Sequence, residues 1–234
     1  MRKQTGFTLI EIAIVLVIIG LLLGGVLKGQ ELIQSARVRN LAAMTDGTKA
    51  AFFGFQDRFR ALPGDYTGAL ATANILGVAA NAGCTGAVTG GGNGDGQIAA
   101  AGESIIAWEH LSKAGFITGS YTCAAATNAA TNTPTNVYGA YVQLVYDGIY
   151  GITSGGTVRH NLKTGPSIPV AIIAELDRKV DDGAPYAGSF QFSVYAGTGG
   201  TAPTEAGSCT SAAAAGATWQ ATTGVTNCGG ATLF

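Results

Sequence analysis

The sequence is short of charge. Of its 234 residues, 13 are Lys or Arg and 14 are Asp or Glu, 12% in all, about half the ~25% of an ordinary soluble domain. A net charge of -1 gives no basic footprint for binding nucleic acid in bulk. Histidine is scarcer still, and neither His110 nor His160 stands in a metal or nucleophile motif. The four cysteines form no CxxC and no Cys/His cluster, so zinc-type ligation has no support. Gly-x-Ser-x-Gly is missing, and the glycine run at 90–96 lacks the Lys-Ser/Thr of a phosphate loop. There is no Asn-x-Ser/Thr sequon and no proline between residues 7 and 62. These absences point away from an enzyme.

Glycine is the opposite case, with 36 residues. Collagen would need it at about every third position, and the 42 Pro+Gly together fall below the ~25–30% of low-complexity disorder. The length is enough to bury a real core in one or two domains. Charge is unevenly placed. Residues 7–60 carry six bases and four acids, whereas residues 61–234 carry five bases and ten acids. From Phe7 to Leu27 the only charge is Glu11. A helix of that length spans about 31 Å, the thickness of a hydrocarbon core. A buried soluble helix would rarely lack a polar face for so long. Arg2 and Lys3 precede the run, so the positive-inside rule keeps residue 1 cytoplasmic and sends the body outward.

No A-x-A-like cleavage site follows Leu27; the chain continues as Lys28-Gly29-Gln30-Glu31 with helical character. A plain signal anchor would fit, but it leaves Glu11 unexplained. An acid inside an apolar span costs up to ~2.5–3.5 kcal/mol at the helix centre, less near the end, and is a functional candidate by default. With its short basic leader, Gly6-Phe7-Thr8-Leu9-Ile10-Glu11 resembles the signature of type IV prepilins, the family of type IV pilins and type II secretion pseudopilins. The resemblance implies cleavage between Gly6 and Phe7 by a membrane prepilin peptidase, followed by N-methylation of Phe7. It also gives Glu11 a role in assembly, its carboxylate neutralising the amine of Phe7 on a neighbouring subunit. Two buried charges that are costly alone become tolerable as a pair.

Apolar periodicity continues through Leu32, Ile33, Ala36, Leu41, Met44, Phe52, Phe55, Phe59 and Leu62, with the last four on one helical face. Pro63-Gly64 stops it. One helix over 7–61 would measure about 82 Å. Gly20, Gly24, Gly25 and Gly29 lie within it, each costing about 1 kcal/mol relative to Ala. They suit close packing against another membrane helix or, by the resemblance, local extension in a filament. Beyond Pro63 the pattern predicts a helix over Ser104–Ala114 stopped by Gly115 and strands at Val137–Tyr146 and Ile149–Thr153. A helix over Pro169–Val180 and a strand at Ser189–Tyr195 complete it. The expected fold is α+β and pilin-like: a long N-terminal helix, transmembrane in its first half, packed on a globular head with an antiparallel sheet. The divisions are a leader at 1–6, a transmembrane and filament-core helix at 7–28, an amphipathic helix at 29–62, and the head at 63–234.

Four cysteines suit an exported, oxidised head and allow three pairings. The resemblance favours Cys209–Cys228, leaving Cys84–Cys123. Asn93 and Asp95, in Gly91-Gly92-Asn93-Gly94-Asp95-Gly96, present alternating side-chain oxygens like half of a calcium loop, against an ordinary Asx-type turn. Asp177, Asp181 and Asp182 form a second candidate calcium set, against acids and bases at a helix end. Calcium in the heads of type II major pseudopilins makes it the cofactor to test. His110, among predicted core positions, reads as structural.

Two classes of function remain. One is the structural subunit of a type IV pilus or pilus-like filament, a single-pass inner-membrane protein with its head in the periplasm before assembly. The other is a minor pilin or pseudopilin with a binding head for adhesion, DNA capture or type II protein secretion. The resemblance implies as partners the prepilin peptidase, identical or related pilin subunits, the inner-membrane assembly platform, and membrane lipid before assembly.

Overall fold

The computed structural model describes residues 8–78, 92–100, 102–125, 127–152 and 157–234. Within them the fold is α+β, a long apolar N-terminal helix and a globular part with a four-stranded antiparallel sheet. The chain divides into two units, residues 1–37 and 38–234.

The first unit holds the start of α1 (Leu9–Phe59). Its side chains are exposed almost throughout. One 18-residue window has a mean hydropathy of 2.8 with none of it buried, and among the described residues α1 is the one helix long and apolar enough to cross a membrane. The helix is continuous through residues 20–29. A methyl group added at Gly20, Gly24, Gly25 or Gly29 would meet no heavy atom within 4 Å, so nothing in the chain itself requires glycine there.

In the second unit, Val38, Leu41, Thr45, Thr48, Ala51, Phe52 and Phe55 form the buried face of α1. This face keeps the 3–4 spacing that the sequence shows. The helix ends at Phe59, where Arg60 takes φ 54° and its N–H still donates to Gln56 O at 2.9 Å. Pro63-Gly64 then reverses the chain. Gly64 has φ 89°, and a Cβ on it would lie 2.4 Å from Glu103 O, so glycine is obligatory there. A short helix that the sequence did not suggest, α2 (Gly68–Asn74), follows.

Next comes α3 (Glu103–Lys113), within a residue of the expected helix and stopped at Gly115 in the left-handed region. Nine of its eleven residues are buried, including Trp108, Glu109 and His110, so it is an interior helix rather than an amphipathic one. The last helix, α4 (Val170–Val180), has Pro169 as its N-cap.

The sheet order is β1 (Gln143–Asp147), β2 (Arg159–Lys163), β4 (Gly230–Leu233), β3 (Phe190–Phe192), with every neighbour antiparallel. Val145 faces Asn161, and Leu162 faces Thr232, which also faces Phe190. Both α3 against β1 and α4 against β3 make contact with the sheet.

Several expected strands are corrected. The run Val137–Tyr146 becomes a strand only from Gln143, because Asn136 ties residues 136–140 into a turn. Its Oδ1 accepts from Tyr138 N and Ala140 N at 2.8 and 3.1 Å, and its Nδ2 donates to Thr164 O at 2.9 Å. Residues 149–152 are not a strand, since Ile149 N turns back to Asp147 Oδ1 and Gly151 takes φ 69°; Thr153 lies outside the described residues. Ser189–Tyr195 shortens to β3. Both β2 and β4 were unexpected.

Candidate functional site

The N-terminal motif is described from Thr8 onward; Gly6 and Phe7 lie outside the described residues. Thr8 stands immediately before α1, and Glu11 is in the first turn. Thr8 N–H and Thr8 Oγ1 donate to Glu11 Oε2 at 2.8 and 2.7 Å, while Glu11 N–H points back to Thr8 Oγ1 at 3.4 Å. That is a capping box, which satisfies helix-start donors through two side chains. In the sequence Glu11 stands out as a lone acid and Thr8 does not, although Thr-x-x-Glu before an apolar run is its signal. Both residues are exposed. At the far end of the apolar run, Lys28 and Glu31 form an exposed pair at 2.7 Å.

Cys209 and Cys228 are joined in a disulfide. Both are fully buried and pack with Ile168, Ile173, Phe192 and Trp219. Cys123 is also disulfide-bonded and buried; Cys84, its expected partner, lies outside the described residues.

Asn93 and Asp95 sit on a turn built around other acids. The carboxylate of Asp65, itself buried, accepts from the N–H groups of Gly94, Asp95 and Gly96 at 2.7, 3.1 and 2.9 Å. Glu103 accepts from Asn93 N and Ala99 N at 3.1 and 2.8 Å. Burial raises the Glu103 carboxyl above its ordinary range, against the lowering by those two N–H groups. Asn93 Oδ1 accepts from Asp95 N at 2.9 Å and Asp95 Oδ1 from Gln97 N at 2.9 Å, the pattern of successive Asx turns. Asn93 Nδ2 donates to Asp95 Oδ2 at 3.0 Å. Asp65 and Glu103 organise this loop from outside it, and no local spacing reveals them.

Asp177, Asp181 and Asp182 are brought together, with an oxygen from each within 4.8 Å of the others. Each also has work within the fold. Buried Asp177 accepts from Trp219 Nε1 at 2.6 Å, which ties α4 to the disulfide loop. Asp181 Oδ2 accepts from Ser189 N and, at 2.9 Å, from Phe190 N at the start of β3. Asp182 Oδ1 takes Ala184 N at 2.8 Å. Burial pushes the Asp177 carboxyl up to about 6; the Trp219 bond opposes this and the charges of Asp182 and Asp181 add to it.

His110 is buried, as expected of a structural histidine. Its Nδ1 accepts Gly64 N–H at 3.0 Å and its ring lies parallel to Phe55, centroids 5.9 Å apart. Burial lowers its pKa to about 4, so the ring is neutral near pH 7.

A groove of about 670 Å³ lies in the second unit, lined by Phe52, Phe53, Phe59, Tyr66, His160 and Phe234 among others. No curated protein and no solved structure matches the chain. Residues 1–27, the stretch that ends with the exposed apolar run, match the family model described as the prokaryotic N-terminal methylation motif. The chain therefore carries at its N-terminus the signature of the type IV pilin and pseudopilin family.

Proposed function

We propose that this chain is the structural subunit of a type IV pilus or a pilus-like filament. One combination supports the reading: the methylation motif at residues 1–27 opens onto an apolar helical stretch with none of its side chains buried. Such a surface needs lipid first and other subunits afterwards. In this reading Arg2 and Lys3 hold the leader in the cytoplasm, and residues 7–28 span the inner membrane with the head in the periplasm. Prepilin peptidase cuts between Gly6 and Phe7 and the new amine is methylated. An assembly platform then moves the subunit into the filament, where Glu11 neutralises Phe7 of a neighbour.

Mass spectrometry of sheared surface filaments tests this. The expected result is that this chain predominates and begins at N-methyl-Phe7. Filaments lacking it, or holding a chain that still begins at Met1, would refute the reading.

Calcium is proposed as a ligand of Asp177, Asp181 and Asp182, whose oxygens converge, ahead of Asn93 and Asp95. Calcium requires about six to eight oxygens, so backbone carbonyls or water must complete either set. Calorimetry of the full chain in micelles, with calcium and then EDTA, decides the matter. Absence of heat and of any change in melting removes both sets.

A further inference from the structure

Lys163 carries a buried amine that none of the chemistry above uses. Its side chain is 3% exposed and that of Asp147 15%, and Lys163 Nζ meets Asp147 Oδ2 at 2.5 Å across the β1–β2 pair. The other oxygen of that carboxyl lies between two donors, Ile149 N–H at 3.2 Å and Asn161 Nδ2 at 3.1 Å. Asn161 is fully buried, and its Nδ2 also reaches the backbone oxygens of Asp147 and Arg159 at 3.2 and 3.1 Å. Its own Oδ1 has no hydrogen-bond partner among the described residues. The ring of Tyr195 covers the amine, with its centroid 5.9 Å from Nζ. An amine therefore faces one oxygen of a carboxyl while two N–H groups hold the other.

Two ions kept here lose hydration that their attraction offsets only in part. Burial lowers the Lys163 pKa, opposed by the contact with Asp147, which brings the neutral, nucleophilic amine within easier reach than on a surface lysine. An amide in the same place would remove both buried charges at once. Groups held in register within one molecule react as if at about 10⁵–10⁸ M, which favours joining over hydrolysis once the water is expelled.

We propose that Lys163 and Asp147 join in an isopeptide bond, a covalent tie between β1 and β2. One proton of the ammonium passes to Oδ2, and the freed amine attacks Cγ. Negative charge gathers on Oδ1, where Ile149 N–H and Asn161 Nδ2 stabilise it as an oxyanion hole does. A second proton then moves from Nζ to Oδ2, the Cγ–Oδ2 bond breaks, one water leaves, and Oδ1 closes again as the amide carbonyl. Ammonium and carboxylate supply every atom, nothing is oxidised or reduced, and no co-reactant enters. Nζ keeps its third proton, for which the unpartnered Asn161 Oδ1 is the acceptor at hand. The bond concerns the sheet alone and does not depend on the filament reading.

Mass spectrometry of the full chain, folded, then reduced, denatured and cut with trypsin, tests this. Without the bond, trypsin releases the peptides 114–159 and 160–163 separately. An acylated Lys163 resists the enzyme, so the expected main product joins 114–159 to 160–178, one water lighter than the two together, with fragmentation placing the junction at Asp147 and Lys163. Lys163→Arg keeps the positive charge but lacks the nucleophilic amine, and is expected to give the separate peptides. Separate 114–159 and 160–163 as the main products of the wild-type chain overturn the proposal, whatever the variant does. A joined product from Lys163→Arg overturns it as well, because the bond would then involve another residue.

Discussion

His110 gives the head a measurable acid sensitivity. Its Nδ1 holds the Gly64 N–H at 3.0 Å, at the reversal that follows α1, and its ring is buried against Phe55. Protonation would turn that acceptor into a donor facing a donor, inside the core. Burial accordingly moves its pKa from 6.5 down to about 4. The unfolded chain takes up a proton as pH falls through 6.5 while the folded chain does not. Stability is therefore present above about pH 6.5 and drains away as pH falls towards 4. At about 1.4 kcal/mol for each factor of ten, the interval amounts to roughly 3 kcal/mol. His110→Asn isolates the effect, since an asparagine oxygen can stand where Nδ1 accepts and cannot be protonated there. The variant loses ring packing and is expected to be less stable at pH 7. Its deficit should shrink by up to ~3 kcal/mol between pH 7 and 4, because it has no imidazole to titrate. Urea unfolding of the full chain in micelles, followed by tryptophan fluorescence at several pH values, measures the gap. His160, also lowered by burial, is present in both proteins and largely cancels. A gap that stays constant across the range would refute the account, as would an NMR titration of His110 centred near 6.5.

Asp177 should act with the opposite sign. Its folded pKa is raised from 3.8 to about 6, so stability is lost as pH climbs through that interval, and Asp177→Asn should gain on wild type over the same range in the same unfolding assay. Breaking the Cys209–Cys228 bond, which closes a loop of sequence separation 19, should cost about 3 kcal/mol by chain entropy; denaturation of a Cys209→Ser, Cys228→Ser chain measures it. Glu11→Leu is expected to leave membrane insertion and cleavage intact and to abolish filaments; electron microscopy of sheared material checks this, and normal filaments would remove Glu11 from assembly.

The three longer helices were legible, while α2 was not and the sheet was legible only in β1 and β3, for reasons visible in particular residues. Phe52, Phe55 and Phe59 repeat at helical spacing, and Gly115 ends α3 where a left-handed residue is needed. A three-turn helix carries its own punctuation. By contrast β4 is four residues long and buried on both faces, so no alternation marks it. In β2, Arg159-His160-Asn161-Leu162-Lys163 is polar in sequence, and its burial becomes possible only because Lys163 meets Asp147 and Asn161 reaches the same residue from β1's neighbour strand. Long-range partners of that kind leave no local trace. The N-terminal motif divides in the same way. Glu11 was visible as an anomaly of charge, whereas Thr8 became visible only through its bonds.

The scarcity of charge has a structural counterpart in the second unit. Residues 61–234 carry ten acids, and Asp65, Glu103, Glu109 and Asp177 among them are buried. They are spent as acceptors: Asp65 on three backbone N–H groups, Glu103 on two, Glu109 on Cys123 N, and Asp177 on Trp219 Nε1. Lys163 is buried as well, on Asp147. Among the described residues, seventeen glycines take φ in the left-handed region, so these glycines close turns. Ionised acceptors make stronger bonds to backbone donors than neutral ones do, which suits a fold with short strands and long connecting loops. The cost falls on the surface, where the charge that normally keeps proteins apart is thinner than the composition alone suggests. A surface so lightly charged resists close contact between copies weakly, which suits the proposed filament reading.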